Sequence, residues 1–120
     1  MAAALVHLST PHTLLVVDCL TLWLNRWTMP VGVEAMSFEQ KQGLALDWQA
    51  QAAMFLVAVR KSPGPVVLVG NEIGLGVIPM GREVRAFVDA LGTLNQQVAQ
   101  VCPRVTLMAA GLPLTLKEPR

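Results

Sequence analysis

The 120-residue sequence predicts an α/β protein with a mostly parallel sheet, long enough for one small domain and too short for two. Two observations carry this. Short aliphatic runs at Leu14–Val17, Val66–Val69 and Val105–Ala109 are of strand length, and the first two lack the polar alternation of a half-exposed strand. Between them lie segments whose apolar residues recur in steps of three and four, the spacing of one helix face. The order strand, helices, strand, helix, strand fits a parallel sheet with crossover helices.

Each element has local support. Leu14-Leu15-Val16-Val17 is a strand that ends in Asp18, and Leu20–Trp27 is a short helix broken by Met29-Pro30-Val31-Gly32. Ser37-Phe38-Glu39-Gln40 has the Ser-x-x-Gln form of a capping box. The helix it opens carries Leu44, Trp48, Ala52, Phe55, Leu56 and Val59 on one stripe and stops near Lys61, because Pro63-Gly64-Pro65 cannot continue it. Val66–Val69 is the second strand and runs into the loop GNEIGLGVIP, residues 70–79. Val84, Phe87, Val88, Leu91, Leu94, Val98 and Val101 mark a further helix, ended by Pro103. Val105–Ala109 is a third strand, and Gly111-Leu112-Pro113 turns the chain into a last short segment, Leu114–Leu116.

Composition excludes some functions. Charged residues make up 14% and hydrophobic residues 53%, against about 25% charged in an ordinary soluble domain. A membrane span does not explain this. The longest uncharged stretch, Met1–Val17, contains His7, Ser9, Thr10, Pro11, His12 and Thr13, and it lacks the basic start of a signal peptide. The remaining explanation is apolar surface covered by a partner subunit or by a further part of the same fold. A net charge of +1, with no basic cluster beyond Arg60-Lys61, argues against nucleic acid as a partner. Cys19 and Cys102 form no CxxC motif and fit two free thiols in a reducing cytoplasm.

Two places can carry chemistry. Ligands of open α/β sheets sit beyond the carboxyl ends of the strands, where Asp18 stands. A carboxylate there either helps hold Mg²⁺ beside a nucleotide's phosphates or caps the helix beginning near Leu20. Asn71 and Glu72, at the second strand's end, either reach a ligand or belong to a turn in which Gly74 and Gly76 supply backbone freedom. The loop is not a Walker A loop, since no lysine occurs between Lys61 and Lys117. Nor is it a dinucleotide loop, because Pro79 stands where the third glycine belongs. His7 and His12 have no Cys, His or carboxylate at metal-ligand spacing and read as surface or helix-end residues. Trp23, Trp27 and Trp48 occupy helical apolar positions and read as core or interface.

Taken together, LLVVDCLTLWLNRW (14–27), VVLVGNEIGLGVIP (66–79), RAFVDALGTLNQQVA (85–99) and VTLMAAGLPLTLK (105–117) closely resemble the C-terminal part of the bifunctional adenosylcobinamide kinase / adenosylcobinamide-phosphate guanylyltransferase family of cobalamin biosynthesis. The resemblance runs from about Leu5 to Lys117. Met80 and Val88 depart from it, where the family often has an acidic residue and an arginine. The resemblance implies a RecA-like P-loop fold and a homotrimer. It also implies phosphorylation of adenosylcobinamide by ATP or GTP, followed by GMP transfer from GTP through a guanylyl-histidine. It places Asp18 at the acidic nucleotide- and metal-binding position, and Asn71 and Glu72 in the loop beside the nucleotide. The family's P-loop and nucleophilic histidine lie upstream of the acidic strand, and neither has a counterpart here. His7 and His12 are too close to Asp18 for that role. The resemblance therefore implies that residues 1–120 form one partial domain with no catalytic residue of its own, either a C-terminal portion of the enzyme or a non-catalytic subunit or remnant that needs a separate P-loop half.

Overall fold

A computed structural model describes residues 1–119. The elements run α1 (Ala2–Leu8), β1 (Leu15–Asp18), α2 (Leu20–Thr28), a 3-10 turn at Val33–Ala35, α3 (Phe38–Lys61), β2 (Val66–Val69), α4 (Arg82–Val101), β3 (Val105–Ala109) and β4 (Leu112–Lys117). The capping box forms as the sequence predicts. The Ser37 hydroxyl accepts from the Gln40 amide at 3.1 Å, and the Gln40 side chain accepts from the Ser37 amide at 2.8 Å. Two orphan donors of the helix start are thereby satisfied.

β1 and β2 pair in parallel, with Asp18 opposite Val69, and α3 supplies the crossover between them. The bases of the two strands are tied together. The Leu15 amide donates to the Pro65 carbonyl at 3.1 Å, and the Ser9 and Ser62 hydroxyls hydrogen-bond to each other. Gly64 approaches so closely that a Cβ there would lie 1.8 Å from the Thr10 carbonyl oxygen, so no other residue fits without moving the backbone.

The expectation that Val105–Ala109 extends the parallel sheet is not met. β3 pairs antiparallel with β4, and the two form a sheet of their own. The reason is local. Ala110 and Gly111 both take left-handed φ values, 54° and 74°, the conformation of a two-residue hairpin turn whose twist matches the flanking strands. The turn therefore lies at 110–111 and not at Gly111-Leu112-Pro113. Pro113 sits inside β4, opposite Met108, on an outer strand where a missing amide is tolerated.

One core joins the elements: Leu5 of α1, Leu20 and Leu24 of α2, Trp48, Ala52 and Phe55 of α3, and Leu91 and Leu94 of α4. Leu15, Val17, Val66 and Leu68 pack against it from one face of the parallel sheet. The opposite face is open, with Val16, Val67 and Val69 exposed at 58, 45 and 38%. Strands that read as covered on both sides are covered on one. Lys117 reaches back from β4 and donates to the Ala99 and Gln100 carbonyls at 2.8 and 3.4 Å, which ties the hairpin to the last turn of α4.

Candidate functional site

The parallel pairing brings the candidate residues to one end of one sheet. Asp18 is the last residue of β1, exposed, and of the same side-chain parity as Val16, so it belongs to the open face. Its partner across the ladder, Val69, is followed directly by Gly70, Asn71 and Glu72. Asp18 does not cap the helix after it. The N-cap of α2 is Cys19, and among the described residues no side-chain cap bond is made at that helix start. Of the two roles the sequence leaves open for Asp18, capping is thus not the one adopted.

The loop between β2 and α4 is pinned near both ends. The Asn71 amide donates to the Thr21 hydroxyl at 2.9 Å, and the Asn71 carbonyl accepts from the Asn95 side-chain amide at 3.1 Å. At the far end, the Arg85 guanidinium donates to the Met80 carbonyl at 2.8 Å and to the Pro79 carbonyl at 3.4 Å. Between these anchors the Glu72 carboxylate accepts from the Gly74 amide at 3.0 Å, and the Gly76 amide donates to the Ile73 carbonyl at 3.3 Å. Gly74 and Gly76 do not adopt positive φ, so their freedom is not used in the way the sequence suggests. Leu75, Val77, Ile78 and Met80 are exposed on this loop. Between loop residues Ile73–Pro79 and the α4 residues Arg85, Val88, Asp89, Gly92 and Gln96 lies an open groove of about 570 Å³.

Among the described residues, no group of three or more His, Cys, Asp and Glu side chains is placed to hold a metal ion. Asp18 and Glu72 therefore offer at most a partial oxygen set at the strand ends. His7 lies exposed in the last turn of α1, and His12 lies exposed in the turn before β1. Trp48 is core, whereas Trp23 and Trp27 meet edge-on at 6.4 Å beside it. Both cysteines are free and half-buried, and burial raises the Cys102 thiol pKa above its ordinary value. No helix is long and apolar enough to cross a membrane among the described residues.

Sequence reasoning missed Thr21 entirely, and it used Arg85 and Asn95 only as family markers. A hydroxyl in the first turn of an apolar helix carries no signal of its own; its role depends on a backbone amide fifty positions away.

Residues 1–116 match the model of the family described as cobinamide kinase / cobinamide phosphate guanyltransferase. The chain belongs to this family. Among its curated relatives, the bifunctional adenosylcobalamin biosynthesis protein CobP of Pseudomonas aeruginosa is 38% identical over 117 residues, which cover 98% of this chain and 61% of that protein. The bifunctional adenosylcobalamin biosynthesis proteins CobU of Escherichia coli K12 and Salmonella typhimurium LT2 are 29% and 28% identical, and they cover 94% and 89% of this chain. The match spans 64% and 60% of those two relatives, so more than a third of each of the three lies outside the matched stretch. Among the described residues, the family match takes in the parallel sheet, the four α-helices and all but the last residue of the hairpin that departs from the expected parallel order.

Proposed function

We propose that this chain carries the acidic-strand half of a nucleotide site in cobalamin biosynthesis. In this reading it belongs to a bifunctional enzyme that phosphorylates adenosylcobinamide with ATP or GTP and then transfers GMP from GTP to give adenosylcobinamide-GDP. The observation that carries the reading is the convergence of Asp18 with Asn71 and Glu72 at the carboxyl ends of two adjacent parallel strands, where open α/β sheets bind ligands.

The donor chemistry fits. Mg²⁺ is a hard cation that is commonly held by one or two carboxylates, with phosphate oxygens and water completing its shell. Asp18 would take the cation or its water, while Asn71 and Glu72 would face the phosphates. Mg²⁺, when bound, would neutralise charge on the phosphates being transferred. The fold in this reading is the later part of a RecA-like P-loop fold, one partial domain over residues 1–120. The phosphate-cradling loop, its lysine and the guanylylated histidine come from polypeptide outside this sequence, which contains no Gly-x-x-x-x-Gly-Lys-Ser/Thr. Assembly as a cytoplasmic homotrimer belongs to the same reading.

A second reading is a non-catalytic subunit that pairs with a separate P-loop half, favoured by the uncovered apolar face of β1 and β2. Calorimetry with Mg²⁺ and GTP tests both. The chain alone binds weakly, and binding tightens when the Walker A portion of a relative is added. Tight binding by the chain alone would refute the claim that the missing loop is essential. In an enzyme complete with its P-loop, Asp18→Asn lowers kcat/KM for the nucleotide by about 10–100-fold without changing the melting temperature. Unchanged kinetics would remove the role given to Asp18.

A further inference from the structure

We propose that Thr21 and Asn95 are positioning residues that bracket the start of the loop after β2 and set the spacing between Asp18 and Glu72; the functional meaning of that spacing rests on the nucleotide reading above. Asn71 has one backbone donor and one backbone acceptor, and both are taken by side chains from distant elements. Thr21 lies three residues beyond Asp18, in the first turn of α2. Its hydroxyl therefore ties the end of β1 to the residue that precedes Glu72. Asn95 follows the fully buried Leu94 on α4, so its amide is presented from a helix fixed by the core.

The two side chains also close over Gly70. A Cβ placed there would meet Asn95 Oδ1 at 3.6 Å, Leu20 Cβ at 3.8 Å and Thr21 Oγ1 at 3.9 Å. These are ordinary contact distances, so the bracket seats the backbone without compressing it. Because the bonds go to main-chain atoms, they fix where residue 71 lies whatever its side chain is. Both bonds span elements, whereas the loop's remaining bonds are made within it or to the start of α4. Displacement of a charged group by about 1 Å can cost about 100-fold in rate. Bonds that hold Glu72 relative to Asp18 are therefore part of the site although neither touches a ligand.

Hydrogen exchange and paramagnetic broadening on the 120-residue chain test this. Thr21→Val and Asn95→Asp each remove one bond while keeping shape, since a carboxylate has no proton for the Asn71 carbonyl. Each variant speeds amide exchange at the bonded loop positions Asn71, Gly74 and Gly76 by about tenfold, the factor of one net hydrogen bond, with exchange in α3 unchanged; Thr21→Ser restores the original rate. Unchanged exchange in the loop, or acceleration spread equally through α3, would overturn the bracket. With millimolar Mn²⁺ and GTP, the Asp18 and Glu72 amide resonances broaden together in the original chain. Asn95→Asp keeps the broadening at Asp18 and weakens it at Glu72, because the effect falls with the sixth power of the distance to the cation. Equal broadening in the variant would overturn the spacing role. An original chain in which neither resonance broadens, even with the Walker A portion of a relative added, would instead refute the nucleotide reading, and the exchange result would still decide the bracket.

Discussion

Single side chains differ sharply in what they hold. Phe55 is fully buried at the centre of the core, and Phe55→Ala should cost ~3–5 kcal/mol, read as a lowered denaturant midpoint. Lys41 and Glu83 form an ion pair at 2.8 Å that joins α3 to α4. The hydrogen bond from Lys41 is the main cause holding the Glu83 carboxyl below its ordinary pKa. A depressed carboxyl contributes stability that is fully present above the unfolded value of about 4.3 and is lost as pH falls through the lower folded value. The melting difference between the original chain and Lys41→Met should therefore shrink as pH falls from 7 to 3. A constant difference would mean that Lys41 acts through packing alone. At this scale Asp18, Asn71 and Glu72 could be placed from the sequence, because a strand end is recognisable from an aliphatic run. The bonds of Thr21, Asn95 and Lys41 could not, because each depends on how separate helices pack.

The elements repeat the same lesson. α3 was legible in full, since Ser37 and Gln40 mark its start, one apolar stripe runs its length, and Pro63 closes it. β3 was legible as a strand but not in its pairing. A strand's partner depends on which backbone edge is nearest, and here a two-residue turn delivers β4 before any distant edge can compete. That turn is imperfect, because Ala110 adopts a left-handed φ that costs an L-residue ~1–2 kcal/mol. Ala110→Asn, which tolerates this conformation, should raise the melting temperature; a lower value would show that the turn needs the small side chain. Lys117 contributes differently, by placing a cation on the terminal carbonyls of α4. Lys117→Met should lose ~0.3–1 kcal/mol and speed proteolysis within the hairpin before the core yields. Simultaneous loss of both would contradict a hairpin that is held by its own tether.

The whole molecule exposes more surface than a compact chain of its size. Its accessible area is 8421 Å², whereas a compact monomer of this mass exposes about 6,300 Å². Its radius of gyration is 15.5 Å, against about 13.6 Å for 120 compact residues. The surplus matches the low charge. Val16 and Val67 on the open sheet face, with Leu112, Leu114 and Leu116 on β4, are apolar groups left to solvent, and patches of this kind mark interfaces. Sedimentation of the isolated chain should therefore show concentration-dependent association, which Val16→Lys combined with Val67→Lys reduces. A monodisperse monomer would show that these faces need no cover. One consequence concerns Gly64. The close approach of its backbone to Thr10 indexes β2 against β1 at the end of the sheet remote from Asp18. Everything downstream is then counted off from that notch, one residue at a time. A single-residue insertion within Val66–Val69 would advance Glu72 by about 3.3 Å and turn its side chain to the other face. The height at which the loop leaves the sheet, before Thr21 and Asn95 hold it there, is thus a matter of arithmetic along four residues, and the glycine that starts the count sits at the opposite end of the strand.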